Sequence, residues 1–151
     1  MRLTAHTDYA LRVLIYLGLQ PDRMATIREI AERYELSRDH LMKIAQKLSN
    51  AGFIETVRGK NGGIRLGREP ATVVVGDIVR TMEGRMDLVE CHGHSEKLCL
   101  IAPVCLLQDV MHEALEAFLV VLDRYTLADL LHPSRDLTKL VQLDVKYVKS
   151  A

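Results

Sequence analysis

The stretch "TIREIAERYELSRDHLMKIAQKLSNAGFIETVRGKNGGIRLG", residues 26–67, limits the fold more than any other part of the chain. It opens on Thr26 with Glu29 three residues on, so the hydroxyl can cap a helix while the carboxylate returns to the Thr26 N–H. Ile27, Ile30, Ala31 and Tyr34 then fall at helical spacing. After the short "YEL" turn, Ser37 stands at the N-cap of a further helix. Leu41, Ile44, Ala45 and Leu48 line its buried side, and Gly52 occupies the place of a C-cap. Phe53, Ile54, Thr56 and Val57 suit a strand, as do Ile64 and Leu66, and "GKNGG" between them supplies residues that tolerate positive φ. Two short helices joined by a tight turn and followed at once by a basic hairpin make a winged helix-turn-helix.

The flanks extend this pattern. Tyr9, Ala10, Val13, Leu14 and Leu17 predict a helix over residues 6–19, stopped by Pro21. "VVVGDIVRTMEG" predicts a short helix ended by Gly84. From Pro103 a stripe of Leu107, Val110, Met111, Ala114, Leu115, Phe118, Leu122 and Tyr125 continues for about six turns. That is more amphipathic helix than a small winged helix can cover, so a seam between two copies is expected to bury it. "TLADLL" predicts a small helix capped by Thr126, with Asp129 three residues on. The fold class is therefore mainly α: a winged helix-turn-helix with a two-stranded wing and a long C-terminal dimerisation helix. Four regions follow: a DNA-binding region over 1–84, a cysteine segment over 85–105, the dimerisation and capping helices over 103–131, and a tail over 132–151.

Charge and composition narrow the function. The 151 residues carry no formal net charge, which argues against a general polyanion binder. The distribution is uneven, however: residues 37–68 hold seven Lys/Arg against two Asp/Glu. A local basic face on a neutral protein suits nucleic acid. Early residues of the second helix of the pair, Ser37, Arg38, His40 and Lys43, would lie nearest a major groove. Arg58 and Lys60 on the wing would reach a neighbouring minor groove or the backbone. A winged helix used for protein contacts is the alternative. The amino-terminal stretch lacks the features of a signal peptide, and its apolar residues are broken by His6, Asp8 and Arg12, so no membrane span is expected there. A cytoplasmic setting is expected. No phosphate loop, zinc-protease motif or catalytic triad stands out, so an enzyme is not expected.

All three cysteines, Cys91, Cys99 and Cys105, lie in "CHGHSEKLCLIAPVC". A disulfide would strand one thiol, and clustered thiols in a reducing compartment point to a metal or to reactivity. Zinc with His92 or His94 as fourth ligand is one reading, although zinc ligands usually pair at closer spacing. An iron–sulfur cluster tolerates the wider spacing and a non-cysteine ligand at one iron.

The motifs "MRLTAHTDYALR", "VRGKNGGIRLG" and "CLIAPVC" running into "LDRYTLADLL" resemble the Rrf2 family of winged-helix regulators, and within it the nitric-oxide-sensing repressors. The likeness runs from Met1 to about Leu131. It implies a homodimer on a two-fold double-stranded DNA operator and an iron–sulfur cluster held by Cys91, Cys99 and Cys105. That cluster is commonly 4Fe–4S, with 2Fe–2S as the alternative form. It also implies a fourth ligand from the other subunit, at the position of Asp8, and a minor-groove role for Arg58. Asp8 has a second reading as a first-turn acid paired with Arg12. Many members of the nitric-oxide branch have five residues between the first two cysteines, whereas "HGHSEKL" makes seven. Iron-responsive members share the wider spacing, so an iron or redox signal remains the alternative to nitric oxide. Another member group places a histidine ligand where Gln108 stands here, and is set aside.

Overall fold

A computed structural model describes residues 2–59, 62–89, 99–101, 104–132, 137, 139 and 140. The element order is α1 (Ala5–Gly18), α2 (Ile27–Tyr34), α3 (Arg38–Asn50), β1 (Ile54–Val57), β2 (Gly63–Leu66), α4 (Val75–Glu83), α5 (Leu106–Asp123) and α6 (Leu127–Leu131), with a 3-10 turn at Pro70–Thr72. Helices α1 to α4 surround one apolar core, in which Leu14, Ile30, Leu41, Ile44, Leu48 and Ile78 are fully buried. All but Ile78 lie on the stripes that spacing alone places inward, so burial of one face sets the helix orientations.

Local chemistry punctuates the elements. The Thr26 hydroxyl accepts the Glu29 N–H at 3.1 Å, as expected. The Glu29 carboxylate turns largely elsewhere: the Tyr16 hydroxyl and the Arg23 guanidinium both donate to it. Partial burial works against its charge, yet Arg23, Tyr16 and the Thr26 N–H together hold its pKa below the ordinary glutamate range. One partly buried carboxylate thus fastens the start of α2 to α1. Between α2 and α3, Glu35 takes the left-handed conformation (φ 53°), and the Leu36 N–H returns to the Ala31 carbonyl at 2.9 Å. Ser37 sits at the N-cap of α3 with extended backbone, but its hydroxyl makes no capping bond. Gly52 follows α3 at φ 74°, where a side chain would be strained.

The wing is antiparallel, with Ile54 opposite Leu66 and Val57 opposite Gly63. A third segment, which carries no strand pattern of its own, joins it. Ala25 and Ile64 exchange both backbone hydrogen bonds, at 3.0 and 2.8 Å. The wing is therefore anchored to the residue just before the helix-turn-helix. A second bridge links Val74 to Thr126, with Val75 N–H to Tyr125 O at 2.9 Å and Leu127 N–H to Val73 O at 2.8 Å. It seats α6, whose Leu127 is fully buried and whose capping box of Thr126 and Asp129 forms in both directions.

Helix α5 differs from the rest. Over its 18 residues, Leu119 alone is buried. Leu106, Leu107, Val110, Val120 and Val121 are exposed, as are Leu100, Ile101 and Val104 ahead of it. Its far end is bolted to α4 by Arg80, which grips Asp123 with two bonds of 2.6 and 2.7 Å over Gly76. Among the described residues no helix is long and apolar enough to cross a membrane.

Candidate DNA-binding face and cysteine segment

The core contacts of Leu41, Ile44 and Leu48 fix which side of α3 faces outward. Ser37, Arg38, Asp39, His40, Met42 and Lys43 are exposed. The four residues expected from spacing to meet DNA, Ser37, Arg38, His40 and Lys43, are thus each exposed at the start of α3. The free Ser37 hydroxyl is a consequence of the missing capping bond. Lys47, further along, is used internally: its ammonium donates to the Met82 carbonyl at 2.9 Å and ties α3 to the end of α4.

On the wing, Arg65 faces Glu55 across the strands and pairs with it at 2.8 Å, which occupies that cation. Arg58 lies exposed at the end of β1, beside Gly59 at φ 121°. Lys60, also expected on the tip, lies outside the described residues.

The structure adds a residue that no local pattern places here. His6, in the first turn of α1, meets His40 edge to face with ring centroids 5.5 Å apart. That turn is held from behind. The Thr4 N–H donates to Glu83 at 2.7 Å, and the hydroxyls of Thr4 and Thr7 donate to the same carboxylate. Thr7 is fully buried. Burial disfavours the Glu83 charge, but the Thr7 and Thr4 bonds and the charge of Lys47 outweigh it and hold the pKa below the ordinary range. Glu83 is the last residue of α4, so one carboxylate joins the start of α1 to the chain entering the cysteine segment.

Cys91, His92 and His94 lie outside the described residues. Cys99 is exposed, and Cys105 is half-buried at the N-cap of α5. No disulfide joins these two, and among the described residues no group of three His, Cys, Asp or Glu side chains converges as a metal site. The two thiols described suit a soft iron–sulfur ligand set. Asp8 is exposed in the first turn of α1 and makes the expected pair with Arg12 at 2.8 Å. Within one chain it is a surface carboxylate, accessible to a second copy.

An exposed, basic helix start presented by a helix-turn-helix beside an anchored wing defines a winged-helix DNA-binding transcriptional regulator. The chain belongs to the Rrf2 family: the family model described as an iron-dependent transcriptional regulator matches residues 3–133. It is 46% identical over 144 residues to the HTH-type transcriptional regulator NsrR of Bacillus subtilis (strain 168), covering 95% of this chain and 99% of that one. It is 49% identical over 143 residues to NsrR of Geobacillus kaustophilus (strain HTA426), covering 94% and 97%. Among solved structures, T. potens IscR superposes with a TM-score of 0.71 at 27% identity, covering 91% of this chain and 90% of that one. The winged-helix expectation and the absence of an enzymatic role agree with this membership.

Proposed function

We propose that this protein is a cytoplasmic, homodimeric repressor that holds its double-stranded DNA operator while an iron–sulfur cluster is intact and releases it on exposure to nitric oxide. The observation that carries the reading is the order of parts along the chain: a basic recognition helix, then a segment containing every cysteine, then an amphipathic helix whose apolar face is bare in a single chain. In this reading residues 1–84 bind DNA, 85–105 hold the cluster, 103–131 form the dimerisation helix and its cap, and 132–151 trail from it. Cys91, Cys99 and Cys105 are the thiolate ligands, and Asp8 of the partner subunit is the fourth. Ser37, Arg38, His40 and Lys43 address the major groove, and Arg58 and Lys60 the neighbouring minor groove or backbone.

When bound, the cluster, 4Fe–4S in the expected form, supplies iron that nitric oxide ligates in competition with the protein's own ligands. The residues do the rest. Cys105 sets the start of α5, so a change in what that thiolate holds alters the first turn of the dimer seam. At the other end of the segment, Glu83 is bonded to Thr4 and Thr7 in the turn that carries Asp8. Order in the segment thereby bears on α1, and through the shared core on the spacing of the two recognition helices.

The test is an anaerobic absorption spectrum of freshly purified protein with nitric oxide added stepwise, in parallel with binding to a DNA duplex selected by that protein. A visible cluster band, bleached by a few equivalents of nitric oxide together with loss of DNA binding, is the expected result. Cys99→Ala should remove both the band and operator binding. A colourless zinc protein that binds DNA regardless would overturn it. Membership of a family described as iron-dependent favours an iron or redox signal as the second reading. Release of DNA by an iron chelator, with no response to nitric oxide, would select that reading instead.

A further inference from the structure

Among the described recognition residues, His40 alone has an aromatic neighbour from outside the helix-turn-helix. We propose that His6 is a positioning residue for DNA recognition: its ring, packed edge to face on His40, sets the orientation in which His40 meets the operator. The proposal rests on the reading of the α3 start as the DNA face.

The geometry behind it is a rigid frame on both sides of the contact. His6 stands on a turn whose neighbours Thr4 and Thr7 are both bonded to Glu83, and Thr7 is fully buried. His40 precedes Leu41, fully buried in the core shared with α1. Lys47 fastens the same α3 to the Met82 carbonyl, next to Glu83. The two backbones are therefore fixed relative to each other through α4, and the rings meet at 5.5 Å because that frame brings them together. An exposed histidine on a helix otherwise samples several rotamers, and each rotamer points its nitrogens elsewhere. A neighbouring ring that favours one of them lowers the cost of ordering His40 at the groove.

His6 thereby adds a residue from α1 to a face that the helix-turn-helix and wing define. A ring supplies the effect, so another aromatic residue should replace it while a small side chain should not. The imidazole of His6 need not touch DNA itself.

The experiment measures binding of the full-length protein, as purified with its cofactor, to a duplex selected from random oligonucleotides by the wild-type protein. His6→Ala should weaken binding by about three- to tenfold, the range that an aromatic edge-to-face contact supports. His6→Phe should restore it to within about twofold. In a His40→Ala background, His6→Ala should add no further loss, since a positioning residue has nothing left to position. Thermal melting of each variant separates lost recognition from lost fold. Unchanged binding in His6→Ala, or losses that add in the double variant, would overturn the proposal while leaving the DNA face intact. If His40→Ala itself binds normally, the assignment of that face to DNA fails, and the proposal with it.

Discussion

Glu83 shows how much a single side chain can hold together. Its carboxylate accepts from the Thr4 N–H and from the hydroxyls of Thr4 and Thr7, and it lies near Lys47. Hydrogen bonds to a charged acceptor are each worth about 1.5–3 kcal/mol, and partial exposure reduces that. Glu83→Ala is therefore expected to cost about 1–3 kcal/mol in urea unfolding, since it also leaves Thr7 buried without its acceptor. The pH dependence has a definite sign. The folded-state pKa is depressed, so the contribution is fully present above the unfolded value of about 4.3 and is lost as pH falls through the folded one. Wild type and Glu83→Ala should differ most near neutrality and converge in acid; a constant gap down to low pH would refute the assignment. None of this was legible in "TMEG", because an acid before a helix-ending glycine says nothing about the threonines that face it 76 and 79 residues away. The pairing of Asp8 with Arg12, by contrast, was legible, because four residues on a helix bring two side chains together locally.

At the scale of elements, the wing depends on a contact with residue 25. Gly63 lies where an added Cβ would come within 2.6 Å of the Ala25 carbonyl, an approach that side-chain atoms do not make. Gly63→Ala should therefore break the exchange of bonds between Ala25 and Ile64. Faster amide exchange at those two residues, with weaker DNA binding and a largely preserved helical signal, is the expected result. Retained protection at Ala25 would contradict it. The sequence supplied the hairpin, because strand-forming residues on either side of "GKNGG" carry it locally. It did not supply the third segment. "RMAT" has no strand pattern, and its two bonds to Ile64 exist only because α1 and α2 bring it there. Similarly, Thr26 and Glu29 promised a closed capping box, yet tertiary contact turned the carboxylate largely to Tyr16 and Arg23. The box at Thr126 and Asp129 formed as written, because there the Asp129 carboxylate turns back to its own cap.

For the whole molecule the unsatisfied feature is α5. Fully burying a Val or Leu side chain is worth about 1.5–3 kcal/mol, and this helix leaves a stripe of them in water. Val110→Glu on that stripe should leave the winged-helix core folded and shift a dimer towards monomer in sedimentation velocity, with loss of binding to a two-fold site. A variant that stays dimeric would place the seam elsewhere. The amphipathic pattern of residues 106–123, the helix-turn-helix and the wing were all determined by the sequence alone, because each is a periodic or turn signal contained within a few residues of itself. Tertiary structure decided what these parts do to one another. It put Ala25 in the sheet, seated α6 through Val73 and Leu127, closed Arg80 on Asp123, turned Lys47 inward to Met82, and brought His6 onto His40. Each of these contacts joins residues far apart in the chain, and their energy appears only after the core has fixed where the helices lie.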